Sequence, residues 1–424
     1  MLLTTMLPQP TDYQGTLWAL AGVRGLRTIS HGTSGCTFYD FIGFRELNPT
    51  RWAGPLFTTG LTETEIVTGG DDRLAAAILE VDRRYQPELI AIVNLTVAAL
   101  MGADPQAVAR ELQPAVGARL IAFTGGGMQG AYTRGAADAL AALASEWAAD
   151  GVSPTGDGPA VNLIGPTYET FNLASDMAEV RRLLGLLGVR VRMMTGETDL
   201  SEWRSAGGVH LNLVLRDVGL PAAQVLERRF GTPYLYGMPF GTAGTGEWLL
   251  AVAKRLGITD ARQRVEADAR RYQTRLGSVS PWRDLHGSLR FVVSAPYDYA
   301  LGLTRLLVEE WHLNVPLVIL PVAPLAPGAQ ERLGEMGVGR ILVEPAEEEL
   351  RQAVAEVAPH VLLSSVEDSR LAPAVPVHIR AAHPRFDHAT FYDGTPFMGH
   401  RGVRWLAQSL VNAMYAAGPA DLRI

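Results

Sequence analysis

The chain of 424 residues contains a single cysteine, Cys36. One thiol excludes an internal disulfide, and a reducing, cytoplasmic setting is the simplest expectation. It also excludes a self-contained cysteine-ligated cluster, because such clusters take about four thiolates. Charge of one sign is scarce as well. With 37 Lys and Arg against 44 Asp and Glu, the net −7 gives no basic field to hold nucleic acid. No apolar run is long enough to span a bilayer, and the Met1-Leu2-Leu3-Thr4-Thr5-Met6 start lacks the cationic region of a signal peptide. A G-x-x-x-x-G-K-[S/T] phosphate loop is missing, so any ATP would be hydrolysed on another protein. The nine histidines offer no pair with metal-site spacing on an expected helix, which leaves a catalytic zinc site unsupported. Ser34 and Ser365 have no nucleophile-elbow context, so acyl transfer is not indicated.

What is present is apolar sequence in the right rhythm. Hydrophobic residues make up 47% and charged residues 19%, enough for a large core. The length exceeds one ordinary domain. Leu89 to Val93 is an uninterrupted apolar run, the pattern of a strand buried on both faces of a parallel sheet. Leu74, Ile78 and Val81 share one face of a helix over 71–85, and Asp104-Pro105 is an N-cap followed by proline at the first helical position. Similar strand–helix alternation continues to Val357, and a last helix is expected over 403–416. The Gly- and Pro-rich stretch 150–159 and the segment 278–286 read as linkers. The expected fold is therefore α/β, with three Rossmann-like units of open, mostly parallel sheets flanked by helices. Their expected spans are residues 1–155, 156–286 and 287–424, and Val377 to Gly399 is expected to be loop.

The cysteine stands in Ser30-His31-Gly32-Thr33-Ser34-Gly35-Cys36, after a short buried strand ending near Ile29. Two glycines in four positions predict a tight loop that lets a bulky group approach the backbone. A thiolate offered from such a loop suits a soft metal, whereas an inert, buried cysteine is the plain alternative. A second glycine loop, Gly125-Gly126-Gly127, follows the strand expected over 119–123. Gly125, Gly127 and Gly130 fit G-x-G-x-x-G, but the loop closes the first unit rather than opening it, so no nucleotide is expected. Close approach to a partner or cofactor accounts for it equally well. Late in the chain, His383 and His388 with Arg385, Asp387 and Asp393 could line a cavity or interface, or simply a solvated loop.

Taken together, these segments resemble the component 1 superfamily of nitrogenase and nitrogenase-like reductases. The resemblance runs through Gly22-Val23-Arg24-Gly25, His31-Gly32-x-x-Gly35-Cys36, and the segment from Phe57 to Gly69-Gly70. It continues through Tyr85-x-Pro87-x-Leu89, Leu100-Met101-Gly102-Ala103-Asp104, Phe123 to Gly127, Val161-Asn162-Leu163-Ile164-Gly165, and Pro396 to Gly402. Two departures stand out. Asn94-Leu95-Thr96 has no cysteine where the family carries one, and Ala103 replaces a usual Asp.

The resemblance implies a function. Component 1 proteins share an iron–sulfur cluster between two homologous subunits, and in several relatives three cysteines come from the α-like subunit and one residue from the β-like one. By that pattern Cys36 is the single β-side ligand of a [4Fe-4S] cluster, with Gly35 and His31 beside it. The implied partners are an α-like subunit carrying three cluster cysteines and an ATP-dependent iron–sulfur reductase that supplies electrons. The substrate would be a small molecule such as a tetrapyrrole at the subunit interface, or a metallocluster if the complex is an assembly scaffold. The cysteine and histidine that hold the family's iron–molybdenum cofactor have no counterpart here. A non-redox structural or binding homologue is the reading from another class.

Overall fold

The computed structural model describes residues 10–47, 54–152, 158–279, 287–365, 373–383 and 394–422. Residues 155, 156 and 286, at the two expected boundaries, lie outside the described residues, as do Arg385, Asp387, His388 and Asp393.

Three parallel sheets carry the fold. In the first, the strands run side by side in the order Leu56–Thr58, Arg27–His31, Leu89–Asn94, Arg119–Phe123. The second has the order Tyr234–Tyr236, Leu211–Val214, Ala160–Ile164, Arg190–Met194. The third has five strands in the order Arg340–Val343, Asn314–Leu320, Arg290–Ser294, Val361–Ser364, Val377–Arg380. Every pairing within these sheets is parallel. A further parallel pair, Val23–Arg24 with Thr198–Asp199, ties the first unit to the second. The α/β architecture of parallel sheets flanked by helices is thus as expected from the sequence.

The all-apolar strands show why helices cover both faces. Ile90 and Ile92 pack with Leu74 and Ile78 on one side of the first sheet. Leu89, Ala91 and Val93 point the other way, into a core continuous through all three units. The third sheet divides in the same way, with Val292, Leu317 and Ile319 opposite Phe291, Val293 and Val318. Helix Asp71–Tyr85 buries Leu74, Ile78 and Val81, with acids in its first turn and arginines in its last, matching the helix dipole. Asp104 caps helix Pro105–Leu112 by accepting from the Ala107 N–H at 2.9 Å. The open edge of strand Arg119–Phe123 is covered by glutamines. Gln113 accepts from the Leu120 N–H at 2.9 Å, and Gln106 donates to the Ala122 carbonyl at 3.4 Å. Polar side chains on an edge satisfy groups that would otherwise recruit a foreign strand.

Two expectations are corrected. Val377–Arg380 is a strand, not loop, and forms the fifth member of the third sheet. The segment around Cys36 is a helix, as described below.

At the junction of the units lies a buried polar network. Arg216, one residue beyond Leu215 at the end of the second sheet, is 3% exposed. Its Nη1 donates to Glu169 Oε1 at 2.9 Å, Thr170 Oγ1 at 2.9 Å and Thr167 Oγ1 at 3.1 Å. Burial opposes the charge on Arg216, but the Glu169 carboxylate overrides it. The neighbouring Asp298 accepts from the Asp217 N–H at 3.0 Å and from the Tyr236 hydroxyl. Burial, aided by the charge of Asp217, pushes Asp298 up to about 8. Gly165, at φ +107°, has a Cβ position only 2.7 Å from the Arg216 carbonyl oxygen, so no side chain fits there.

Candidate functional site

Cys36 sits above the carboxyl end of the first sheet. Strand Arg27–His31 ends, two residues turn, and helix Ser34–Leu47 begins, placing Cys36 exposed in the first helical turn. The expected tight loop is therefore only Gly32-Thr33, and the two glycines do different work. A Cβ on Gly32 would stand 2.7 Å from the Leu95 Cβ, so that position needs glycine for close packing. Gly35 is helical, and a Cβ there would meet nothing within 4 Å. It leaves bare surface beside the thiol rather than a bend. The Thr33 hydroxyl lies 3.4 Å from Cys36 Sγ.

His31, expected beside the cluster ligand, lies five residues before Cys36 at the end of strand Arg27–His31. Its side chain is fully buried, with Nδ1 3.1 Å from the Thr59 hydroxyl and Gly70 packed over the ring. Burial pushes its pKa down, with Asp71 opposing. The Thr59 hydroxyl also accepts from the Gly32 N–H at 3.0 Å, and the His31 carbonyl accepts from Leu95 N–H at 2.9 Å. His31 thus pins the turn that presents Cys36.

The cysteine helix is unusual in what it buries, namely only Thr37 and Phe44. Phe44 stacks edge-on against Tyr168 at 5.6 Å. Phe38 (60% exposed), Tyr39 (75%), Phe41 and Ile42 face outward. Contiguous exposed apolar groups of this kind mark an interaction surface. Beside Cys36, Tyr13 and Asp40 face each other. Burial raises Asp40 to about 7 with the Tyr13 hydroxyl pulling the other way, and burial followed by the charges of Asp40 and Cys36 raises Tyr13.

The triple-glycine loop lies next to this group, and its close approach is to the chain itself. A Cβ on Gly126 would stand 2.2 Å from the Ala99 Cβ, and one on Gly127 3.0 Å from Thr11 Oγ1 and 3.2 Å from the Tyr13 ring. Both residues have positive φ, +61° and +87°. Gly126 thus packs closely against helix Thr96–Leu100. Gly126→Val is therefore expected to cost at least about 1–3 kcal/mol in strain alone. It should appear as a lowered denaturant midpoint of the chain by itself, and an unchanged midpoint would show that the loop adapts freely.

Among the described residues, no group of three or more His, Cys, Asp or Glu is arranged to hold a metal ion. His383 lies 5.1 Å from the Trp18 ring and 6.1 Å from Tyr132, and burial pushes its pKa down to about 4. It belongs to the packed junction of the units rather than to a site with Cys36. A groove of about 640 Å³ follows the edge strand Arg119–Phe123, and Cys36 does not line it. Sequence reasoning missed the aromatic face around the thiol, although Phe38-Tyr39 and Phe41-Ile42 were visible signals. No helix among the described residues is long and apolar enough to cross a membrane.

Comparison with known proteins shows the family. The chain is 30% identical over 288 residues to the nitrogenase iron-molybdenum cofactor biosynthesis protein NifE of Klebsiella pneumoniae, covering 64% of this chain and 62% of that one. It is also 30% identical over 307 residues to a subunit of the light-independent protochlorophyllide reductase of Heliobacterium modesticaldum, covering 70% and 58%. The chain thus spans about three fifths of the length of these two relatives. A NifE of Methanococcus maripaludis is 27% identical over 92% of this chain and 80% of its own. The solved structure of nitrogenase Cp1 at pH 6.5 shares the fold, with a TM-score of 0.83 over 98% of this chain and 94% of that chain at 18% identity. The family model for nitrogenase component 1 type oxidoreductase matches residues 11–415, and this chain belongs to that family.

Proposed function

We propose that this chain is the β-type subunit of a nitrogenase-like complex, with Cys36 as its one ligand to a [4Fe-4S] cluster shared with an α-like subunit. The observation that carries the reading is the exposed Cys36 at the start of a helix whose aromatic side chains face outward. One thiolate cannot hold such a cluster, so the other three ligands belong to the partner. The residues fit that share. The thiol is accessible, Gly35 leaves open surface beside it, and the helix start places an anionic cluster at the positive end of the helix dipole. Bound there, the cluster would relay electrons from a separate ATP-dependent iron–sulfur reductase to a substrate at the subunit interface. Phe38, Tyr39 and Ile42 would cover that interface and keep water from it. Gly32, Thr59 and His31 hold the turn in place.

The relative named as a protochlorophyllide reductase favours a tetrapyrrole-like substrate. The likeness to NifE over 92% of the chain favours a second reading, a scaffold on which a metallocluster is assembled. Expression alone and with the α-like partner tests both against a non-redox homologue. The chain alone should carry almost no iron, and the complex should carry about four irons per pair on the four-iron model. A complex that accumulates more iron when supplied with iron and sulfide, and passes it on, would favour the scaffold. An iron-free complex would leave only the non-redox reading.

A further inference from the structure

Away from Cys36, a cleft of about 290 Å³ opens between the second and third units. One wall is the loop after strand Tyr234–Tyr236 and helix Thr242–Leu256, and the other is helix Tyr297–Arg305. It lies outside the carboxyl ends of strands from two sheets, which is where open α/β sheets take ligands. Tyr236 and the edges of the largely buried Phe240 and Trp248 line it. Glycines keep it open and close-packed. A Cβ on Gly302 would stand 2.3 Å from Phe240 Cδ2, and one on Gly244 would stand 3.5 Å from an Arg305 guanidinium nitrogen.

The charges in the cleft are not equivalent. Arg305 is neutralised by Glu247 at 2.8 Å and Glu309 at 2.7 Å. Arg332 donates to the Pro327 carbonyl at 2.7 Å and meets no carboxylate among the described residues. Asp298, at the cleft's inner end, is shifted toward its protonated form by burial and by the charge of Asp217. The Trp248 indole N–H is buried and has no hydrogen-bond partner among the described residues. Among the described residues, an arginine that meets no carboxylate, an unpaired indole donor and aromatic lining describe a ligand with an acidic group on an apolar body.

We propose that this cleft binds a small organic carboxylate with an aromatic body, the carboxylate on Arg332 and the ring against Tyr236, Phe240 and Trp248. Its volume lies at the small end of ligand pockets, suited to a single-ring acid rather than to a tetrapyrrole. The site stands independently of any cluster at Cys36. It is tested on the full-length chain by calorimetric titration with 3-phenylpropionate and with the uncharged 3-phenylpropionamide. The acid should bind saturably at one site, and the amide should bind at least tenfold more weakly. Arg332→Gln should bring the acid down to the affinity of the amide, and Ala251→Trp, which fills the cleft, should abolish both. Thermal melts of the two variants establish that they fold; should Ala251→Trp not fold, Leu301→Phe from the opposite wall takes its place. Equal affinity for acid and amide, binding that survives a filled cleft, or no saturable binding of either compound would overturn the assignment.

Discussion

Cys36→Ala should strip the iron from the complex while leaving the chain folded. The thiol is exposed in the first turn of helix Ser34–Leu47, where the Thr33 hydroxyl lies 3.4 Å from its sulfur. Its loss removes almost no packing, so the melting point of the chain alone should shift by less than about 0.5 kcal/mol in stability terms. A methyl group cannot replace a thiolate on iron, so iron per αβ pair should fall from about four toward zero on the four-ligand model. Cys36→Ser and Cys36→Asp offer oxygen and should give intermediate iron with an altered reduced-state EPR signal, since ligand type sets cluster potential. The two halves of this result discriminate. Folding unaffected and iron lost assigns ligation, whereas identical iron and EPR in all four proteins would reduce Cys36 to a surface thiol and remove the redox reading. A parallel set in Phe38 and Tyr39, changed to Ser, would separate loss of partner binding from loss of ligation, because these residues flank the thiol without supplying a thiolate.

How far the sequence revealed this molecule depends on where each residue's partners lie. Leu89 to Val93 was legible because an all-apolar run has few alternatives to a strand covered on both faces. Helix Asp71–Tyr85 was legible because Leu74, Ile78 and Val81 repeat with its pitch. The cysteine helix was not, since it buries only Thr37 and Phe44 and its aromatic residues face away from the core that makes periodicity readable. Helix Glu63–Thr68 buries nothing at all, yet its capping box, Thr62 with Glu65, was present as Thr-x-x-Glu. Strand Val377–Arg380 alternates apolar and polar residues, a signal four residues long and easily lost beside a proline-rich stretch. At the site, the cysteine and its family resemblance were visible in the sequence. The burial of His31 and the self-packing of Gly126 were not, because both depend on residues brought in from other strand ends.

The largest expected loss of stability lies in the same blind spot, at Arg216. Its partners Glu169, Thr167 and Thr170 stand 46 to 49 positions away, and Asp298 is separated from Asp217 by 81. Only the fold brings them together, where the ends of two sheets meet Tyr132 of the first unit. Arg216→Leu would leave the Glu169 carboxylate buried at 1% side-chain exposure without the guanidinium it pairs with. Removing one partner of a buried pair costs about 3–5 kcal/mol, because the remaining charge keeps its desolvation penalty and loses its compensation. Replacing both partners with apolar side chains of similar volume removes that penalty, so Arg216→Leu combined with Glu169→Leu should be far less harmful than either change alone. Denaturant unfolding of the wild type, the two single variants and the double variant completes the cycle. A coupling of about 3 kcal/mol or more is the expected outcome. Additive effects, or an Arg216→Leu chain within about 1 kcal/mol of wild type, would mean that water or a shifted proton already neutralises Glu169 and that the pair does not hold the three units together.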